Sequence, residues 1–174
     1  TITFLPDNKI FGELEYDFDA ASQRFRQMAY LNRNLTIEFS SPWHVTRGMD
    51  AERAQISFYF EDGIISFVND HLNHNRDVLT TKPIYVEKTI DETLIEMALQ
   101  YNTGFSEQTY AFANCIHTPD GGTHLTGFRS AITKALNDYI RRKKLIKEDQ
   151  SNLAGEDVRE GLAAVISVKL MDPE

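Results

Sequence analysis

The sequence predicts an α+β domain, a mixed sheet with helices on one face. Three observations carry this prediction. Near the C-terminal end a strand pattern, a long helical pattern and a second strand pattern follow one another. In the middle of the chain, alternating apolar runs occur in pairs. Two further segments repeat apolar residues at three- and four-residue steps, the period of a helix with one buried side.

Taken in order, Thr1 to Leu5 reads as a strand, followed by a turn at Pro6-Asp7-Asn8. From Asp19 to Leu31 the pattern is helical, with Ala21, Phe25, Met28 and Ala29 on one face and Asp17 or Asp19 as N-cap. Leu35, Ile37 and Phe39 alternate as a half-buried strand does, and so do Ile56, Phe58 and Phe60. Ser41 to Arg53 between them is polar and irregular, a loop. A second helix opens after Glu61-Asp62-Gly63 and aligns Ile64, Phe67, Val68 and Leu72. Strands are expected around Ile84 and Val86, from Ile95 to Tyr101, and from Thr109 to about Ile116. The longest helix starts after Pro119-Asp120-Gly121-Gly122. It sets Leu125, Phe128, Ile132, Ala135, Leu136 and Tyr139 on one side and ends among Arg142 to Ile146, where cations suit the carbonyl end of the helix dipole. Asp157 to Glu160 forms a short turn. Leu162 to Leu170 is almost wholly apolar, which suits a strand covered on both faces.

Whole-chain numbers narrow the class. With 174 residues, 41% hydrophobic and 25% charged, the chain can bury one sizeable core, and a disordered composition is excluded. Cys115 is the only cysteine, so an intrachain disulfide is impossible and a reducing, cytoplasmic setting fits. No signal peptide and no apolar run near membrane length is present. Thr1 opens on an apolar run and Glu174 follows a strand pattern closely, so both ends read as cuts in a longer chain. The net charge of −8 argues against a general nucleic-acid coat. The charge is uneven, however. Arg129 to Lys147 holds seven bases and one acid, +6, which leaves −14 on the rest. A basic helix on an acidic body can still meet a polyanion.

Several groups are of a type that could carry chemistry. His71 and His74 sit three apart on the second helix, but no carboxylate or cysteine completes a metal-ligand pattern. Glu156, Asp157 and Glu160 flank Arg159, and a capping and salt-bridge role suits them better than acid–base work. Gly121 and Gly122, followed by Thr123 and His124, could expose backbone N–H groups to an anion. The lysine and glycine spacing of a P-loop are missing, and a tight turn is the simpler reading. Cys115 reads as a small buried hydrophobe. Arg129, Lys134, Arg141 and Arg142 belong to the basic stretch. With few aromatics among them, any contact with DNA would be to phosphates and indifferent to sequence. The residues alone support a soluble α+β domain with one basic helix.

The run DGGTHLTGFRSAITKALNDY, Asp120 to Tyr139, resembles a signature segment of the ATPase subunits of type IIA DNA topoisomerases. GEDVREGLAAVISVKL, Gly155 to Leu170, is similar to a second one. TITFLPD at the start resembles the strand that closes the ATP-binding lobe, and LNRNLTIEF, FEDGIISFV and ALQYNTGFSE look like the matching parts between. The resemblance spans the chain in order and fits the bacterial gyrase B branch best, with the ParE subunit of topoisomerase IV as a close relative. A plain interaction module is the competing class.

The resemblance implies residues 1–7 as the closing strand of the ATP lobe and 8–174 as the transducer domain. It implies a fold like the second domain of ribosomal small-subunit protein five, with a left-handed strand–helix–strand crossover. In the family, ATP and magnesium are held by a lobe preceding Thr1, and the transducer's own ATP-contacting lysine lies in a Gln-Thr-Lys loop after the segment resembling this chain's end. No catalytic residue is therefore expected here, and the chain alone is expected to be inactive. The implied partners are the gyrase A subunit, a second B subunit in an ATP-dependent dimer, and double-stranded DNA. The implied task is to relay ATP binding and hydrolysis to the DNA gate during negative supercoiling, while lining the DNA-transport cavity. Arg129, in GFR, matches a position tied in the family to that cavity and to DNA-dependent ATPase activity; Lys134, Arg141 and Arg142 are weaker candidates. Lys134 lies roughly 140° round an ideal helix from Arg129, so the two are not expected to share a face.

Overall fold

The computed structural model describes residues 1–173. Residues 1–7 are extended but pair with no strand among the described residues, because a strand needs a neighbour to take its backbone hydrogen bonds and none stands beside them. Asp7 instead accepts from the Lys9 amide at 2.8 Å and caps one helical turn, α1 (Asn8–Phe11).

Helix α2 (Phe18–Leu31) begins at Asp17, whose carboxylate accepts from the Ala20 amide at 2.9 Å. Its outer side meets a two-stranded antiparallel ribbon, β1 (Ile37–Ser40) and β2 (Gln55–Phe58). There Phe18 stacks on Phe39 with centroids 4.9 Å apart. The segment expected as a loop between these strands contains a short helix, α3 (Pro42–Val45), with Pro42 in its first turn, where the missing N–H costs nothing. The second helix starts as α4 (Ile64–Ser66) and widens into a π-helical turn, Phe67–Leu72.

The central sheet has strands β3 (Ile84–Ile90), β4 (Thr93–Tyr101), β5 (Gln108–Ala113), β6 (Ile116–His117) and β7 (Leu162–Lys169). Their order is β3-β4-β7-β5-β6. Only β5 and β7 run parallel, so the sheet is mixed, as expected. Parallel neighbours need a crossover, and α5 (Thr123–Arg142) followed by α6 (Gly155–Arg159) supplies it. The strand expected to run from Thr109 to Ile116 breaks in two. Asn114 and Cys115 take φ of 47° and 65°, and Phe112 pairs with His117 across them. Two consecutive positive φ values make the tight hairpin turn that the twist of paired strands favours.

The helices occupy both faces of the sheet, which corrects their expected placement on one. The reason lies in β7, buried from Leu162 to Val168 without alternation, so each of its faces needs a cover. Ala163 and Val165 pack with Leu31, Phe67, Val68 and Phe112, beneath α2, α4 and the π-turn. Leu162, Ala164 and Ile166 face the other way and pack with Leu99 and Phe128, beneath α5.

A buried polar chain ties the connection after the π-turn to the end of β4. Asn73 donates to Gln100 Oε1 at 2.9 Å, Asn102 donates to Asn73 Oδ1 at 2.8 Å, and Gln100 donates to the Thr80 carbonyl at 2.7 Å. All three side chains are buried, and such groups are stable only when satisfied in this way.

Candidate nucleic-acid interface

Helix α5 exists because one side of it is apolar. Leu125, Phe128 and Ile132 step along the sheet, and this leaves Arg129, Ser130, Thr133 and Lys134 on the outer side. These residues, with Asn152 from the following connection and Arg159 of α6, line an open groove of about 660 Å³. Arg129 and Lys134, not expected to share a face, line one groove because it spans a wide arc of the helix and the lysine stem is long.

At one end of the groove a carboxylate bridges two arginines. Arg129 donates from Nε and Nη2 to Glu107 Oε1 at 2.9 and 2.8 Å. Arg159 donates from Nε to Glu107 Oε2 at 2.9 Å, and the Thr109 hydroxyl donates to Oε1 at 2.8 Å. Partial burial pushes the Glu107 carboxyl up. The hydrogen bonds from Thr109 and Arg129, the charge of Arg129 and the bond from Arg159 outweigh it, and hold the group below the usual carboxylate range. Arg159 therefore pairs with Glu107, 52 residues away, and not with the acids beside it in sequence. Of those acids, Asp157 accepts from the Ala154 amide at 2.9 Å and caps α6, whereas Glu156 and Glu160 are exposed.

The rest of the basic stretch is less free than its charge count suggests. Lys134 pairs with Asp138, one turn on. Arg141 points back along the chain to Asn152 Oδ1 at 3.0 Å, the Lys147 carbonyl at 3.0 Å and the Gln150 carbonyl, so it organises the loop after α5. Asn137 holds the same loop, exchanging hydrogen bonds with both backbone groups of Leu153. Arg142 sits 5.9 Å over the Tyr139 ring at the exposed end of α5, where Lys143 and Lys144 follow.

The glycine turn before α5 is closed. Gly121 and Gly122 have φ of 86° and 149°, and the Gly121 amide donates to the Thr118 carbonyl. The His124 ring fills the space over Gly122, where a Cβ would meet it at 2.8 Å, and its Nε2 lies 3.2 Å from the Thr118 hydroxyl. Burial lowers the His124 pKa, so the neutral ring is favoured there. The tight turn is thus the better account of these glycines, with Thr123 as the first helical residue. Among the described residues, no three His, Cys, Asp or Glu side chains gather as a metal site would require, and no helix is long and apolar enough to cross a membrane.

Glu107 does not stand out in the sequence. Its partners lie 22 and 52 residues away, and the only local hint is a lone acid leading a strand that carries no other charge.

A family model described as DNA gyrase B matches residues 63–174, more than half of the chain and the whole of the segment that builds this groove. The chain belongs to the DNA gyrase B family. It is 47% identical over 174 residues to the gyrase B protein of Clostridium acetobutylicum and 45% identical over 175 residues to that of Streptococcus pneumoniae. These matches cover 99% and 100% of the chain but 26% of each relative, so it spans about a quarter of the gyrase B proteins it matches. Among solved structures, the 43K ATPase domain of Thermus thermophilus gyrase B in complex with an aminocoumarin aligns with a TM-score of 0.80 at 37% identity, over 97% of this chain and 44% of that one. The α5 and α6 motifs both lie inside the gyrase B match.

Proposed function

We propose that this chain is the transducer domain of a type IIA topoisomerase ATPase subunit of the gyrase B kind. In that role it relays ATP binding and hydrolysis to the DNA gate and lines the cavity through which DNA passes. The observation that carries this reading is the groove on α5, where Arg129 and Arg159 stand together inside the matched segment. A guanidinium presents planar paired donors that fit phosphate oxygens, so the groove suits a DNA backbone without reading its bases. The hydrogen-bonded sheet of five strands suits a part that moves as a unit.

The nucleotide and magnesium belong to another part of the enzyme in this reading. Residues 1–173 do not fit them: the Gly121-Gly122 turn is filled by His124, and the groove on α5 offers no open backbone cradle. The partners are the gyrase A subunit, a second B subunit and double-stranded DNA, in the cytoplasm.

The test is Arg129→Ala in the full-length protein assembled with its A subunit. DNA stimulation of ATP hydrolysis should weaken, and the slope of its logarithmic salt dependence should fall by about one, as for one lost phosphate contact. Stimulation that keeps its size and its salt dependence would remove Arg129 from the interface.

A further inference from the structure

Among the described residues, Glu107 is the only carboxylate that pairs with two arginines, and these come from different helices. It stands immediately before β5 (Gln108–Ala113), so one side chain fastens the leading end of a central strand to both α5 and α6. The pairing is incomplete. The bridge itself, two guanidiniums and one carboxylate, carries +1; Glu156 and Glu160 line the recess on the Arg159 side of Glu107, so the open approach for an anion is the groove side of Arg129. Among the described residues, Nη1 of Arg129 and both Nη atoms of Arg159 have no hydrogen-bond partner. Both arginines line the groove, and the Arg129 side chain is 42% exposed. An anion arriving from the groove therefore finds unused donors on the very groups that hold Glu107.

Exchange of one anion for another at this point costs little. Phosphate carries at least as much charge as a carboxylate and accepts the same paired N–H bonds. Glu107, with a side chain 21% exposed, has a short path to solvent. Loss of Glu107 with nothing in its place would instead leave two adjacent guanidiniums uncompensated.

We propose that Glu107 is a displaceable counter-ion: a DNA phosphate entering the groove takes its place beside Arg129 and Arg159, and its release frees the start of β5 from α5 and α6. Glu107 is then a positioning residue that acts through the arginines. This inference rests on the DNA-cavity reading above and adds to it the device by which the sheet registers that DNA is present.

The experiment uses Glu107→Gln in the full-length protein with its A subunit, since glutamine keeps the shape and removes the charge. Hydrolysis without DNA should rise about two- to five-fold toward the stimulated rate, the range set by breaking one or two partly exposed ion pairs. The DNA concentration for half-stimulation should fall about three-fold, with a salt dependence steeper by about one. In an Arg129→Ala, Arg159→Ala background, which removes both partners of Glu107, the same change should do nothing, which a merely structural role for Glu107 would not produce. Glu107→Asp keeps the charge but is too short to span both arginines. It should shift both readouts the same way by less, and it serves if the glutamine variant does not fold. Unchanged rates in either variant, while Arg129→Ala still lowers stimulation, would overturn the counter-ion proposal and leave the DNA reading standing. Arg129→Ala without effect would overturn the DNA reading itself.

Discussion

Gly161 lets the α6–β7 corner pass close to the backbone that leads toward Glu107, and its replacement by alanine tests this. The residue joins α6 to β7, two positions after Arg159, and its φ is +69°. A Cβ there would lie 2.5 Å from the Asn102 carbonyl oxygen and 2.7 Å from that of Gly104, both backbone atoms. The left-handed conformation alone costs alanine about 1–2 kcal/mol. To reach ordinary contact one backbone must also retreat by about 0.9 Å, which weakens the 2.9 Å hydrogen bond from the Asn102 amide to the Gly161 carbonyl at about 1 kcal/mol. Together the expected loss is about 2–3 kcal/mol. For a domain of this size that is roughly 4–12 °C in Tm. Chemical and thermal unfolding of the chain would measure it. A loss below about 1 kcal/mol would refute the claim that these two segments are in rigid close contact.

Two further outcomes follow from the same structure. Gly127→Ala should stabilise the chain by about 0.5–1 kcal/mol, seen as a higher midpoint in denaturant, because Gly127 is helical, has open space at its Cβ position and faces an apolar cleft beside Phe128 and Ile132. Stability should fall with acid in two stages, read by unfolding at a series of pH values. His71 and His124 both have their pKa lowered in the fold, chiefly by burial, so the unfolded chain takes these protons first as pH drops below 6.5. Glu107, also lowered, supports the fold above the ordinary carboxylate value of 4.5, and that support is lost as pH falls from there through its depressed value. Glu107→Gln should remove the second stage and keep the first.

The elements that the sequence revealed are those whose signal is local. Periodicity marked α2, α5, β4 and β7 to within a few residues, and Asp17 was already visible as an N-cap. The unbroken apolar run of β7 even implied cover on both faces, against the simpler expectation of helices on one. The hairpin turn at Asn114-Cys115 was hidden because cysteine carries no preference for positive φ, so apolar alternation seemed to run straight through. The π-helical turn was hidden because a widened turn keeps the same apolar residues inside. The basic stretch was legible as charge but not as geometry. Lys134 is committed to an acid one turn on, Arg141 to loop carbonyls that only the fold supplies, and Glu107 meets its arginines only once the β5–α5–β7 crossover is closed.

That crossover decides how a signal could pass. β5 and β7 are parallel neighbours in the sheet, and after the edge strand β6 the chain returns between them through α5 and α6. Two clasps close this loop at the same end: Gly161 against Asn102 and Gly104, and Glu107 between Arg129 and Arg159. The first is backbone on backbone, with no room for a Cβ and one hydrogen bond across it. The second is a pair of side-chain bridges, partly exposed and of the kind that contributes about 1 kcal/mol or less each. A displacement of α5 relative to the sheet meets exposed side-chain bridges at Glu107, which have room to re-pair, and close backbone contact at Gly161, which has none. On the proposed counter-ion role, an anion in the groove acts on that clasp directly. Packed cores shift between discrete arrangements more readily than they deform by degrees, and on the proposed counter-ion role the Glu107 carboxylate is the group through which one arrangement would be favoured over another.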